Sequence, residues 1–220
     1  MTSLSSLLKG GLLLPIIQAE QPAQAVAIAK AMQQGGVTAV EVVLRTAAAL
    51  ECISAIRAEV PQLLTGAGTI LSAKDATNAK AAGAQFLVSP ASTPDLLKAM
   101  INTELALAPG VATPSEMAMA LELGLTELKF FPAHLAGGIE MLKALAGIFQ
   151  QVKFCPTGGV QLSNLAAFLA LPNVFVAGGS WLSPKDLVQQ QNWEAITELT
   201  RQSVAVAVAE QSRVKHSQVA

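Results

Sequence analysis

A short apolar run, a loop holding Gly, Pro, Ser or Thr, and an Ala/Leu-rich amphipathic stretch of roughly ten residues recur in that order along the chain. Candidate strands are Leu12–Ile17, Ala39–Leu44, Leu63–Ala67, Gln85–Ser89, Leu105–Pro109, Leu128–Phe131, Lys153–Thr157 and Val174–Ala177. Candidate helices are Pro22–Gln34, Ala47–Glu59, Ala73–Ala82, Pro94–Ile101, Pro114–Leu123, Ile139–Ala146, Leu162–Ala170 and Trp193–Val208. Thr113-Pro114-Ser115-Glu116 offers a Thr cap, a Pro at the first helical position and a Glu three residues on. Gly35-Gly36, Gly83 and Gly124 mark helix ends. Strict alternation of strand and helix demands a parallel sheet, and eight units within 220 residues predict a (β/α)8 TIM barrel, an α/β fold. Residues 1–220 are expected to form this one domain, with Met1–Gly10 as a short N-terminal helix across the base of the barrel.

The same pattern excludes several classes of protein. The apolar stretches, such as Leu12–Ile17 broken by Pro15, fall far short of the roughly 20 residues a membrane helix needs. The N-terminal run is too short for a secretory signal, so a cytoplasmic location is expected. Cys52 and Cys155 have neither CxxC spacing nor a His cluster nearby, which argues against a disulfide or a metal site. A formal net charge of −1, with no basic run, argues against nucleic acid. Charged residues are only 13% of the chain against 52% hydrophobic, so part of the surface is expected to be hidden in a homo-oligomer.

In a barrel, chemistry gathers at the C-terminal ends of the strands. Alternation puts Glu41, Val43 and Arg45 on one face of their strand and Val40, Val42 and Leu44 on the other. If the apolar set faces the helices, Glu41 and Arg45 point inward, either as a structural ion pair or as working groups. Lys129 shares a face with Phe131 in an apolar strand, and an ammonium is costly to bury. A neutral buried amine is the nucleophile that forms a Schiff base with a ketone; the structural alternative makes Lys129 a partner of Glu41 or Glu127. Thr157-Gly158-Gly159 and Gly178-Gly179-Ser180 follow the seventh and eighth strands, where backbone N–H groups of barrel enzymes meet a substrate phosphate.

Taken together the residues resemble the 2-keto-3-deoxy-6-phosphogluconate (KDPG) / 4-hydroxy-2-oxoglutarate (KHG) aldolases. The matching motifs are Val40-Glu41-Val42 with Leu44-Arg45-Thr46, Gly66-Ala67-Gly68-Thr69, Ser89-Pro90, Pro109-Gly110-Val111, Lys129-Phe130-Phe131-Pro132-Ala133, Phe154-Cys155-Pro156-Thr157-Gly158-Gly159 and Gly178-Gly179-Ser180-Trp181. They run in order from about Leu14 to Trp181. The resemblance implies a class I lyase and a homotrimer. Lys129 would form the Schiff base with pyruvate or the keto acid, and Glu41 would shuttle protons. Arg45 and Thr69 would hold the keto-acid carboxylate, while Pro90 and Phe131 would wall the pocket. Thr157 would contact the hydroxyl region, and Gly158, Gly159, Gly179 and Ser180 would take the phosphate. The sequence departs from the family pattern in Ala91 after Ser89-Pro90, in His134, and in Gln18 where some relatives carry a basic residue. His134 reads as a surface group and His216 as part of a polar tail, Gln211–Ala220.

The expected reaction is cleavage of KDPG to pyruvate and glyceraldehyde 3-phosphate, the chemistry of the Entner-Doudoroff pathway, together with KHG to pyruvate and glyoxylate. It needs no cofactor and no metal, because the iminium itself is the electron sink. Two rivals share the fold: a sugar-phosphate isomerase or epimerase using Glu41 as base, and a non-catalytic barrel with a Glu-Arg-Lys network.

Overall fold

A computed structural model describes residues 2–217, with side chains through residue 214. His216 and the end of the tail therefore lie outside the described side chains. The order is α1 (Leu4–Leu8), β1 (Leu13–Ile17), α2 (Pro22–Gln34), β2 (Ala39–Val43), α3 (Ala49–Glu59), β3 (Leu64–Gly68), α4 (Ala73–Ala81), β4 (Phe86–Val88), α5 (Pro94–Ile101), β5 (Ala106–Ala108) and β6 (Gly110–Val111). There follow α6 (Pro114–Glu122), β7 (Glu127–Phe130), α7 (Gly138–Ala146), β8 (Lys153–Pro156), α8 (Leu162–Leu169), β9 (Ala177–Gly179), α9 (Lys185–Gln189) and α10 (Trp193–Ser217).

All ladders are parallel. One sheet has six strands in the order β5-β4-β3-β2-β1-β9, and a second has three, β6-β7-β8. The expected fifth strand is divided at Pro109, which has no N–H to donate: residues before it pair with β4 and those after it with β7. Between β8 and β9 only isolated bridges form, Phe154 with Val174 and Thr157 with Gly178. The fold is thus α/β with curled parallel sheets covered by helices.

The last strand corrects the sequence reading. It lies at Ala177–Gly179, opposite Leu13–Pro15, and not at Val174–Ala177. Gly178 and Gly179, expected in a loop, are in the strand itself because the backbone passes close to Thr157 and to the Trp181 ring. Helix α9 had no apolar period to reveal it, and α10 runs on past Val208 through residues that are mostly good helix formers.

Two apolar layers result. The larger lies between strands and helices, and the smaller lines the inner face of the strands with Leu14, Phe86, Val88, Ala106, Cys155 and Val176. Leu4 and Leu8, four residues apart on one face of α1, close this inner layer and are essentially unexposed. Helix α1 is tied to β7 by Ser5, whose N–H and hydroxyl both donate to the Glu127 carboxylate. Leu8→Ala is expected to cost about 2–5 kcal/mol in urea unfolding. A loss below about 1 kcal/mol would show that α1 is peripheral to the core.

Candidate active site

Strand β2, Ala-Val-Glu-Val-Val, is buried along its whole length, as suits a parallel strand covered on both faces. The carboxylate of Glu41 is therefore carried into the interior with no exposure at all. Lys129, on β7 of the other sheet, is 4% exposed and donates from Nζ to Glu41 Oε1 at 3.0 Å and Oε2 at 3.4 Å. Glu127 takes no part in this. Gly68 makes room for the pair, because a Cβ there would collide with the Glu41 carboxylate. Nζ also sits 5.4 Å from the centroid of the Phe131 ring, so an aromatic face and a carboxylate together replace the water an ammonium loses on burial.

Arg45 does not join Glu41. Leu44 continues the ladder to Gly68, but the Arg45 N–H folds back onto the Val43 carbonyl at 2.8 Å, which ends the alternation and lifts the guanidinium to the rim. There Nε donates to Thr69 Oγ1 at 3.3 Å. Thr69 holds this place with φ of +63°, a left-handed conformation that costs a β-branched residue on the order of 1–3 kcal/mol. Cys155 lies opposite Lys129 in the β7–β8 ladder. Burial pushes its thiol up to about 12, against the opposing pull of Lys129 and of the hydrogen bond with Thr157, so it stays neutral at ordinary pH.

Over the strand ends opens a cavity of about 680 Å³. Of the expected site residues, Arg45, Phe131, Thr157, Gly158, Gly159, Gly179 and Ser180 line it. Glu41 and Lys129 lie beneath that lining, with Lys129 reaching it through the Phe131 ring. Thr69 touches the cavity through Arg45, while Pro90 is half-buried beside Gly110 and not part of the wall. Gly158 and Gly159 have φ of +92° and +86°; Gly158 directly follows the Thr157 bridge to Gly178, while the N–H groups of Gly159 and Ser180 have no hydrogen-bond acceptor among the described residues. His134 is exposed, and its N–H donates to the Gly158 carbonyl at 2.9 Å. Sequence reading missed Lys185, which also lines the cavity. Its signal was the Ser183-Pro184 helix start, placed beyond the two glycine-rich segments under scrutiny. Among the described residues no cluster of His, Cys, Asp and Glu could hold a metal ion, and no helix is long and apolar enough to cross a membrane.

A buried amine against a buried carboxylate, under a cavity edged with free backbone amides at the C-terminal ends of parallel strands, is the equipment of a carbonyl-processing α/β enzyme. The model of the KDPG and KHG aldolases matches residues 4–199, and the chain belongs to this family. It is 46% identical over 197 residues to the 2-dehydro-3-deoxy-phosphogluconate aldolase of Pseudoalteromonas atlantica, covering 90% of this chain and 92% of the other. To the KHG/KDPG aldolase of Escherichia coli K12 it is 44% identical over 203 residues, 92% of this chain and 95% of the other. The crystal structure of the KDPG aldolase of Legionella pneumophila, with pyruvate captured as a covalent carbinolamine intermediate, superposes with a TM-score of 0.88 at 41% identity, covering 91% and 97% of the two chains.

Both thiols are buried, and burial raises Cys52 as it does Cys155. Iodoacetamide at about pH 8 is expected to leave them unmodified until denaturant is added, as read by intact mass. Rapid alkylation of the native protein would contradict the closed interior.

Proposed function

We propose that this chain is a class I aldolase that cleaves 2-keto-3-deoxy-6-phosphogluconate to pyruvate and glyceraldehyde 3-phosphate, with Lys129 as the Schiff-base residue and Glu41 as the proton carrier. The observation that carries the reading is the 3.0 Å contact between Lys129 Nζ and Glu41 Oε1 in an interior with almost no exposure. A proton passed across that contact leaves a neutral amine and a neutral acid.

The amine attacks the C2 carbonyl to give a carbinolamine, the type of intermediate trapped with pyruvate in the Legionella enzyme. Glu41 returns its proton to the departing hydroxyl, water leaves, and a cationic imine remains. Glu41, again a carboxylate, takes the C4 hydroxyl proton. The C3–C4 bond breaks, its electrons move into the imine, and the aldehyde leaves from an enamine. Glu41 then protonates C3, and a water molecule hydrolyses the imine to free pyruvate. The sequence of steps closes on the starting pair.

Arg45, steadied by Thr69, would bind the keto-acid carboxylate, while Phe131 excludes water and Thr157 faces the hydroxyl-bearing carbons. The free amides of Gly159 and Ser180, beside Gly158, would receive the phosphate, with Gly179 keeping the wall thin. The shorter dicarboxylate KHG fits the same lysine and arginine, and its cleavage to pyruvate and glyoxylate belongs to this proposal.

The remaining parts of the reading have their own support. The strands β5 and β6 flank a single proline, and bridges connect β8 to β9, so the two sheets read as one (β/α)8 barrel comprising a single domain. Leu71, Leu135 and Ile148 are large apolar side chains exposed at 61%, 82% and 73%, consistent with subunit contacts in a homotrimer. The proposed substrate is a multiply charged phosphate ester that a bilayer excludes, which favours the cytoplasmic location expected from the sequence.

Sodium borohydride with pyruvate is expected to inactivate the enzyme and to add the reduced pyruvyl group to Lys129 alone by peptide mass mapping. Label on Lys153, an exposed residue that donates to the Pro172 carbonyl, would sink the assignment. Lys129→Arg should abolish cleavage, because a guanidinium stays protonated; retained cleavage would favour the isomerase-like use of Glu41. Glu41→Gln should still trap pyruvate slowly, yet lose roughly 10²–10⁴-fold in turnover. Full activity in that variant would leave Glu41 a structural role.

A further inference from the structure

The cavity lining holds three charged side chains, Arg45, Glu20 and Lys185. Their commitments differ. Arg45 donates to Thr69. Glu20 uses its backbone N–H to reach Gln24 Oε1 at 3.2 Å, while its carboxylate has no ion-pair partner among the described residues. Lys185 is exposed, and its ammonium has neither a hydrogen bond nor an ion pair among the described residues.

The backbone before Lys185 is nonetheless fixed. The Ser183 hydroxyl donates to the Ile16 carbonyl of β1 at 2.9 Å, and the Ser183 N–H donates to the Ser180 carbonyl at 3.2 Å, closing a turn directly after β9. Pro184 follows with φ of −54°. A tethered turn thus presents an unpaired cation to the same cavity that Gly159 and Ser180 line with free amides.

Those amides offer dipoles without full charge. A phosphate dianion placed against them also shares the cavity with the unpaired Glu20 carboxylate. With Arg45 taken by Thr69 and, in the aldolase reading on which this step rests, by the keto-acid carboxylate, Lys185 is the remaining cation of the lining. We infer that Lys185 is a specificity-determining residue: its ammonium offsets Glu20 and supplies the charge that selects a phosphorylated six-carbon 2-keto acid over the same acid ending in a neutral hydroxyl. An exposed lysine acts through a screened interaction, so the preference should be modest and sensitive to salt.

The test has an arm that needs no turnover. Binding of inorganic phosphate, followed by its ³¹P resonance, should weaken roughly three- to tenfold in Lys185→Gln and recover in Lys185→Arg. In kinetics, the ratio of kcat/KM for the phosphorylated acid to that for its unphosphorylated counterpart should fall by a similar factor, through KM rather than kcat. Raising the salt from about 0.05 to about 0.5 M should shrink the difference between wild type and variant. Unchanged phosphate binding with an unchanged ratio would overturn the inference, and so would equal losses on both acids, which would make Lys185 a residue that shapes the wall. Lys185-dependent phosphate binding in a wild-type protein that cleaves no 2-keto acid would overturn the aldolase reading and leave Lys185 assigned to phosphate.

Gly179 is unsuitable for the same test. A Cβ at that position would run into the Trp181 ring, whose Nε1 donates to Ser203 Oγ at 3.2 Å, so substitution there disturbs the anchoring of α10 as well as the cavity.

Discussion

The architecture turns on one contact, an ammonium and a carboxylate held at 3.0 Å where neither can be hydrated. Separating the partners inside the protein would leave an uncompensated buried charge, a penalty of several kcal/mol. Everything around the pair serves to keep it closed and unchallenged. Gly68 gives the carboxylate its space, Phe131 covers the ammonium, and Cys155 contributes a neighbour that burial keeps uncharged. The Arg45 cation is drawn off to Thr69, so the lysine has one charged partner.

The interior is graded from one end of the strands to the other. Leu4 and Leu8 of α1 join the apolar inner layer that holds Phe86 and Ala106. Toward the C-terminal ends the inward positions become Glu41, Lys129 and Thr157, and beyond them the cavity opens. Apolar packing and the cavity thus lie apart. The upper end retains unpaired amides, a strained threonine and two unpaired charges, groups that a protein optimised for folding alone would have satisfied.

Much of this was legible in the residues. The β/α alternation predicted every helix from Pro22 to Leu169 to within a residue or two, because amphipathic period and caps agree locally, as in the Thr113–Glu116 capping box. The inward face of Glu41 and of Lys129 followed from period two alone. What escaped was set by tertiary geometry. The strand at Gly178-Gly179 has no side chains to show a period, and its place is fixed by pairing with β1. Arg45 left the barrel axis through a local backbone turn that alternation cannot anticipate. Lys185 entered the site through a turn tethered to β1, about 170 residues earlier in the chain, a contact no local pattern carries.

Glu41 belongs to the six-stranded sheet and Lys129 to the three-stranded one, 88 residues apart in the chain. Neither sheet owns the reactive pair. Loss of either sheet would leave only half of the ion pair. The buried contact is therefore a mark of completeness, formed only where the two curved halves have met.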